Sequence, residues 1–166
     1  MAYVKADPHR DDICLCLFRI ISSCIAMKQI SFLMRQIRVN QFAILADDAP
    51  AGEIPVEFGI QFKTDIVGKW IAVAFKTQYL NGTTPLLLLE VQCDFQVKPE
   101  DWDSLVNDGK LVFPVEFLRH IALHTVGSAR GILFCKTEGS PFNRFILPPV
   151  NLETMIDQNL VIPLPE

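Results

Sequence analysis

The sequence predicts an α+β fold, an antiparallel sheet with helices packed against it, and three observations lead there. Before residue 98, four stretches alternate apolar and polar residues with the period of a strand. The turns between the later three are too short for the long crossovers that parallel pairing needs. After Phe113-Pro114 the apolar spacing becomes that of a helix.

Residues 30–45 carry apolar side chains at Phe32, Met34, Ile37, Val39, Phe42 and Ile44, a broken alternation that suits a strand with a bulge. Asp47-Asp48-Ala49-Pro50-Ala51-Gly52 predicts a loop. Val56, Phe58, Ile60 and Phe62 then alternate strictly with Glu57, Gly59, Gln61 and Lys63, as in a strand with one buried face. A turn around Gly68 leads to residues 70–80, with Ile71, Val73, Phe75, Thr77 and Tyr79 on one side. Asn81-Gly82 supplies turn chemistry, within a hairpin loop expected to run on to Pro85. Residues 86–97 gather Leu87, Leu89, Val91, Cys93, Phe95 and Val97 on one face.

Pro99-Glu100-Asp101-Trp102 predicts a short helical segment, and Pro114 sits where proline opens a longer helix. At 100° per residue, Val115, Phe117, Leu118, Ile121, Ala122, Val126, Ala129, Ile132 and Leu133 share half the cylinder, with Glu116, Arg119, His120, His124 and Arg130 on the other. Leu123, Gly127 and Gly131 form a line through that second half. Two readings stand: a helix contact between subunits, or a helix that frays or ends at Gly127. Residues 136–149 read as a loop, and Asn151 as the cap of a last short helix running to Asn159 or Leu160.

The chain has 166 residues, enough for one core without disulfides or metal. Half are hydrophobic and 20% charged, and mean hydropathy is +0.28. That surplus of apolar surface points to oligomer contacts or a binding surface. A net charge of −4 with no basic run disfavours nucleic acid and anionic membranes as partners. Cys14, Cys16, Cys24, Cys93 and Cys135 are irregularly spaced among apolar neighbours, as reduced thiols of a cytoplasmic protein would be. The apolar stretch 13–27 carries Arg19 and follows Asp11-Asp12, so it makes neither a signal peptide nor a membrane span. Residues 1–26 lack the regularity that begins at Met27 and read as an extension outside a domain of residues 27–166.

Few constellations suit catalysis. His120 and His124 have the i, i+4 spacing that can hold a metal, but no glutamate follows His120 and no third ligand is evident, so polar helix-face histidines are the alternative. Cys135 follows Ile132-Leu133-Phe134, the setting of a packed thiol rather than an activated nucleophile. Cys14, Cys16 and Cys24 lack a fourth ligand. No phosphate-binding glycine loop or nucleophile elbow is present. The sequence therefore implies no cofactor, and an enzyme built on His120, His124 and Cys135 is the weakest reading.

The order of landmarks adds to this: a start at Met27, a strand containing Leu89-Glu90-Val91-Gln92, Phe113-Pro114 opening a helix, Gly139-Ser140-Pro141, then Leu147-Pro148-Pro149-Val150-Asn151-Leu152. It resembles the SecB family of export chaperones from near Met27 to the C-terminus. The resemblance implies a four-stranded antiparallel meander with two or three helices on one face, β-edge and helix dimers that pair into a homotetramer, and an ATP-independent holdase for unfolded polypeptides. Two departures stand out. Cys93-Asp94-Phe95-Gln96-Val97 replaces the family's glycine-rich step, and the chain ends without the polar tail through which export members reach the translocase motor. Phe42, Trp70, Phe142 and Phe145 are the client-contact candidates, with core packing as the alternative for each. Leu123, Gly127 and Gly131 are the oligomer-interface candidates. An interaction module of the same fold, dedicated to one partner such as an antitoxin, is the second reading.

Overall fold

The computed structural model describes residues 29–164; the extension expected at residues 1–26 lies outside the described residues. Strands β1 (Phe32–Ile44), β2 (Val56–Asp65), β3 (Trp70–Asn81) and β4 (Thr84–Val97) form an antiparallel sheet in the order β1-β4-β3-β2. The meander covers β2, β3 and β4. β1 returns beside β4, which leaves β1 and β2 as the two edges.

The broken alternation of β1 has a structural cause. Register shifts at Met34/Gln36 and Val39/Gln41 each insert a residue, and they reset the strand so that apolar side chains stay opposite apolar partners. Phe32, Met34, Ile37, Val39, Phe42 and Ile44 face Val97, Phe95, Cys93, Val91, Leu89 and Leu87 in turn. The β3–β4 hairpin is tighter than the expected loop to Pro85. Asn81 pairs with Thr84, Gly82 and Thr83 make the turn, and the irregularity appears instead as a register shift at Tyr79/Leu80. At the β2–β3 turn, Trp70 lies over Gly68, where a Cβ would come within 2.7 Å of the indole, so only glycine fits.

Helix α1 (Pro99–Asp103) follows β4, and helix α2 (Val115–Thr137) begins after Pro114, with Val115 N donating to Asn159 Oδ1. α2 runs unbroken through Gly127 and Gly131, which removes the reading in which Gly127 ends it. A 3-10 turn (Pro141–Arg144) and a short helix α3 (Leu152–Met155) complete the helical part. Asn151 Oδ1 caps α3, accepting from Glu153 N and Thr154 N. The last helix is shorter than expected, because Leu160–Pro163 is a strand, β7, in a second small sheet with β5 (Val106–Asn107) and β6 (Lys110–Phe113). Asp108 and Gly109, both at positive φ, form the two-residue turn of the β5–β6 hairpin.

The core lies between α2 and the β3–β4 pair. Ile71, Val73 and Phe75 on β3, and Leu87, Leu89, Val91, Cys93 and Phe95 on β4, are fully buried against Leu118, Ile121, Ala122, Ala129 and Leu133. Each large apolar side chain so placed contributes about 1.5–3 kcal/mol relative to exposure. Burial also pushes the Cys93 thiol pKa up, against hydrogen bonds from Thr125 and Ser128 that lower it.

The opposite face of the sheet is polar and clips β1 to β4. Arg38 Nη2 donates to both oxygens of Asp94 (3.1 and 2.7 Å), Gln92 Nε2 donates to Asp94 Oδ1 (2.8 Å), and Arg35 Nη1 donates to Gln96 Oε1 (2.8 Å). Asp94 and Gln96, which stand in place of a glycine-rich step, thus serve as cross-strand partners. Because the Asp94 side chain is only 12% exposed, removing its cation leaves a largely desolvated carboxylate. Arg38→Ala is expected to lower unfolding stability by about 1–3 kcal/mol at neutral pH. Urea denaturation checks this, with Arg38→Lys recovering only part of the loss.

Candidate functional site

The outward side of α2 carries the candidate surface. Leu123 is 59% and Phe134 is 55% exposed, with Gly127 and Gly131 exposed between them. Among the described residues, a Cβ built on either glycine meets nothing within 4 Å, so no described neighbour demands glycine there. Each still costs the helix about 0.8–1 kcal/mol relative to alanine. The glycines instead open a shallow hollow of about 340 Å³ with Phe134, Phe145, Ile146 and Leu147 as walls and Arg130 at its rim.

One wall is held in place from α2. Arg130 donates through Nε to Leu147 O (3.0 Å) and through Nη2 to Pro148 O (3.3 Å). Nearer the helix start, Arg119 Nε donates to Ile156 O (2.9 Å) and Nη2 to Glu153 O (3.3 Å). These two arginines, which the sequence places on the half of the helix away from the apolar residues, fasten the returning chain along the helix. Ile146, at the crest of the wall, is 67% exposed.

On its other flank α2 meets β1 near both ends of the strand. The Phe32 ring packs edge-on against Phe117, His120 and His124, and Lys136 Nζ lies 5.9 Å from the Phe42 ring centroid. Between these contacts Ile37 and Val39 share the α2 side of the sheet with Cys93 and Val91, yet are 47% and 41% exposed. A second apolar strip therefore lies beside the first.

The sequence candidates divide accordingly. Gly127, Gly131 and Phe145 come together in the hollow, with Leu123 on the same helix face. Phe42 is half-buried on the β1 flank. Trp70 sits away from both, at the end of β3 over Gly68. Phe142 is a correction: at 1% exposure, beside Phe145, it belongs to the core and offers no surface to a client. Phe134 and Ile146, which also line the hollow, are not among the sequence candidates: Phe134 sits in an apolar run before Cys135, and Ile146 in a stretch that reads as a loop.

Other candidate chemistry stays sparse. His120 and His124 stack ring edge to ring face, 4.9 Å between centroids, and among the described residues no group of three or more His, Cys, Asp or Glu could hold a metal ion. Cys135 is exposed. Among the described residues no helix is long and apolar enough to cross a membrane.

No family model and no curated protein matches the chain. Among solved structures it is similar to a Mycobacterium tuberculosis SecB-like chaperone in complex with a ChAD peptide from an antitoxin, at 15% identity and a TM-score of 0.44. That match covers 72% of this chain and 91% of the other. A Streptococcus agalactiae protein of unknown function is similar at 12% identity and a TM-score of 0.41, covering 74% and 99%. Both are loose likenesses of shape.

Two outcomes follow from the local chemistry. Gly127→Ala and Gly131→Ala are each expected to raise unfolding stability by about 0.5–1 kcal/mol, measured by denaturant titration. Tyr79, whose ring lies 5.8 Å from Phe145, buries a hydroxyl with no hydrogen-bond partner among the described residues. Burial pushes its pKa up to about 12, with Arg130 pulling weakly the other way. A folded-state pKa raised above the unfolded value of about 10 gives stability that is intact below pH 10 and lost toward pH 12. Tyr79→Phe is expected to be neutral or mildly stabilising at pH 7. Thermal melts across this range will show a shallower alkaline loss for the variant than for the native protein.

Proposed function

We propose that this protein is an ATP-independent holdase that binds unfolded or non-native polypeptide, working as a cytoplasmic homo-oligomer. The observation that carries the reading is the glycine-floored apolar hollow on α2, flanked by exposed Leu123, Phe134 and Ile146. Two helix glycines that no described neighbour requires leave room for a side chain from outside. Apolar walls with few polar groups suit recognition of many sequences by burial rather than of one by hydrogen bonding. The Ile37–Val39 strip lets an extended chain continue beyond the hollow. The SecB-like order of landmarks in the sequence supports the same role.

In this reading Leu123, Phe134, Phe145 and Ile146 contact the client, with Phe42 at the end of the β1 flank. Part of the same surface, centred on Leu123, Gly127 and Gly131, also serves contacts between copies. Clients then compete with, or line, an oligomer interface.

At one protomer per client, the protein is expected to suppress aggregation of a chemically denatured enzyme diluted into buffer without nucleotide, as followed by light scattering. Phe134→Asp and Leu123→Asp, both on exposed helix positions, are expected to keep the circular dichroism of the native protein and lose suppression several-fold. Absence of suppression across several clients would overturn the holdase reading. Recovery of one stoichiometric partner alongside such absence would favour a dedicated interaction module.

A further inference from the structure

The hollow on α2 has apolar walls and a cationic surround. None of its lining residues is acidic, and Arg130 stands at its rim. Arg144 lies over one wall, its guanidinium carbon 4.7 Å from the Phe145 ring centroid. Among the described residues neither arginine forms an ion pair, whereas Arg38, Lys69 and Arg119 each meet a carboxylate. Their hydrogen bonds among those residues go to backbone carbonyls alone, those of Leu147 and Pro148 for Arg130 and those of Ala49 and Pro50 for Arg144. A carbonyl orients a guanidinium without cancelling its charge. In a chain with 19 acidic and 15 basic residues, these two arginines make a local reversal of sign beside an apolar surface.

A second observation lies behind the same wall. The Tyr79 side chain rises from the α2 face of β3, is 3% exposed, and packs its ring on Phe145 (5.8 Å). Its hydroxyl, at the tip of the ring, lies where the charge of Arg130 reaches it and has no hydrogen-bond partner among the described residues. A buried hydroxyl left unpaired costs stability, and phenylalanine in its place would remove that cost. Arg130 bonds through Nε and Nη2, which leaves Nη1 without a described partner. Arg130 Nη1 and the Tyr79 hydroxyl are thus two unspent donors, one cationic and one neutral, on the same side of the hollow. Both suit an oxygen acceptor that carries negative charge.

We infer that the hollow selects client segments in which a large apolar side chain is followed by Asp or Glu: the apolar side chain lies on Gly127 and Gly131, and the side-chain carboxylate accepts from Arg130 and Tyr79. The inference rests on the holdase reading and narrows it. Burial still supplies the affinity, and the two donors rank one apolar segment above another. A space of about 340 Å³ is at the small end of ligand pockets and suits one aromatic side chain rather than several residues. A lysine beside that side chain would bring a third cation up to Arg130 and Arg144, and a neutral amide would leave both charges uncompensated.

Three peptides test it, identical except for the residue after a central phenylalanine, which is Glu, Gln or Lys. Each is acetylated and amidated so that neither end is charged, and binding to the full chain is followed by fluorescence anisotropy. The Glu peptide is expected to bind about tenfold more tightly than the Gln peptide, and the Lys peptide more weakly than either. Tyr79→Phe is expected to lower the Glu-to-Gln ratio about threefold, and Arg130→Gln to bring it near one. A wall merely loosened by the loss of Arg130 weakens both peptides alike and leaves the ratio at its native value. Gly131→Leu, at an open helix position, is expected to weaken all three peptides several-fold, because it fills the hollow. Equal affinities for the Glu and Gln peptides, a native ratio in either Tyr79→Phe or Arg130→Gln, or binding untouched by Gly131→Leu would each overturn the inference. Failure of all three peptides to bind a protein that still suppresses aggregation would overturn it and leave the holdase reading in place. The same failure without suppression would remove both.

Discussion

The width of one helix set against the width of four strands governs this molecule. α2 is 23 residues long, about 34 Å, and reaches from Phe32 at one end of β1 to Phe42 near the other. Its diameter of about 10–12 Å, however, covers only two strands spaced about 4.8 Å apart. Those two are β3 and β4, whose inward residues are almost entirely excluded from water. The flanking strands carry the same apolar alternation without the same cover. Hence Ile37 and Val39 on β1 stay partly exposed, and the inward residues of β2 are half-buried.

The rest of the chain covers some of what the helix cannot. After α2 it turns back through the Pro141–Arg144 turn and is pinned beside the helix by Arg119 and Arg130. That return builds the wall of the hollow but leaves the helix crest, with its two glycines, open. A protein selected only for the stability of a single protomer would place alanine there. The open crest and the uncovered flank are the surfaces that the proposed client binding would use. The polar face, by contrast, is already satisfied by cross-strand pairs such as Arg38–Asp94 and needs no further layer.

Much of the fold was legible because it rests on periodicity. Strict alternation in β2, β3 and β4 placed the buried face residue by residue, and even the interruptions of β1 pointed to bulges. What escaped depended on pairing at a distance. Leu160–Pro163 became a strand because β6 offered it a partner, and Asp108-Gly109, a strong hairpin signal, flanks strands too short to show a period. The site was half legible. Gly127 and Gly131 stood out because small residues on a helix face invite contact, whereas Phe134 and Ile146 needed the path of the returning chain to be known. Phe142 showed the limit of reading exposure from residue type: an aromatic in a loop sequence is packed beneath the surface by the turn that contains it.

In the proposed reading, non-native chains bind the surface left open by α2. Methyl NMR of the protein titrated with a polypeptide that cannot refold tests it most directly. The methyls of Ile37, Val39, Leu123 and Ile146 are expected to shift together and saturate, while Leu33 and Ala72, on the opposite face of the sheet, remain where they were. Shifts confined to that opposite face, or none at any client concentration, would contradict it.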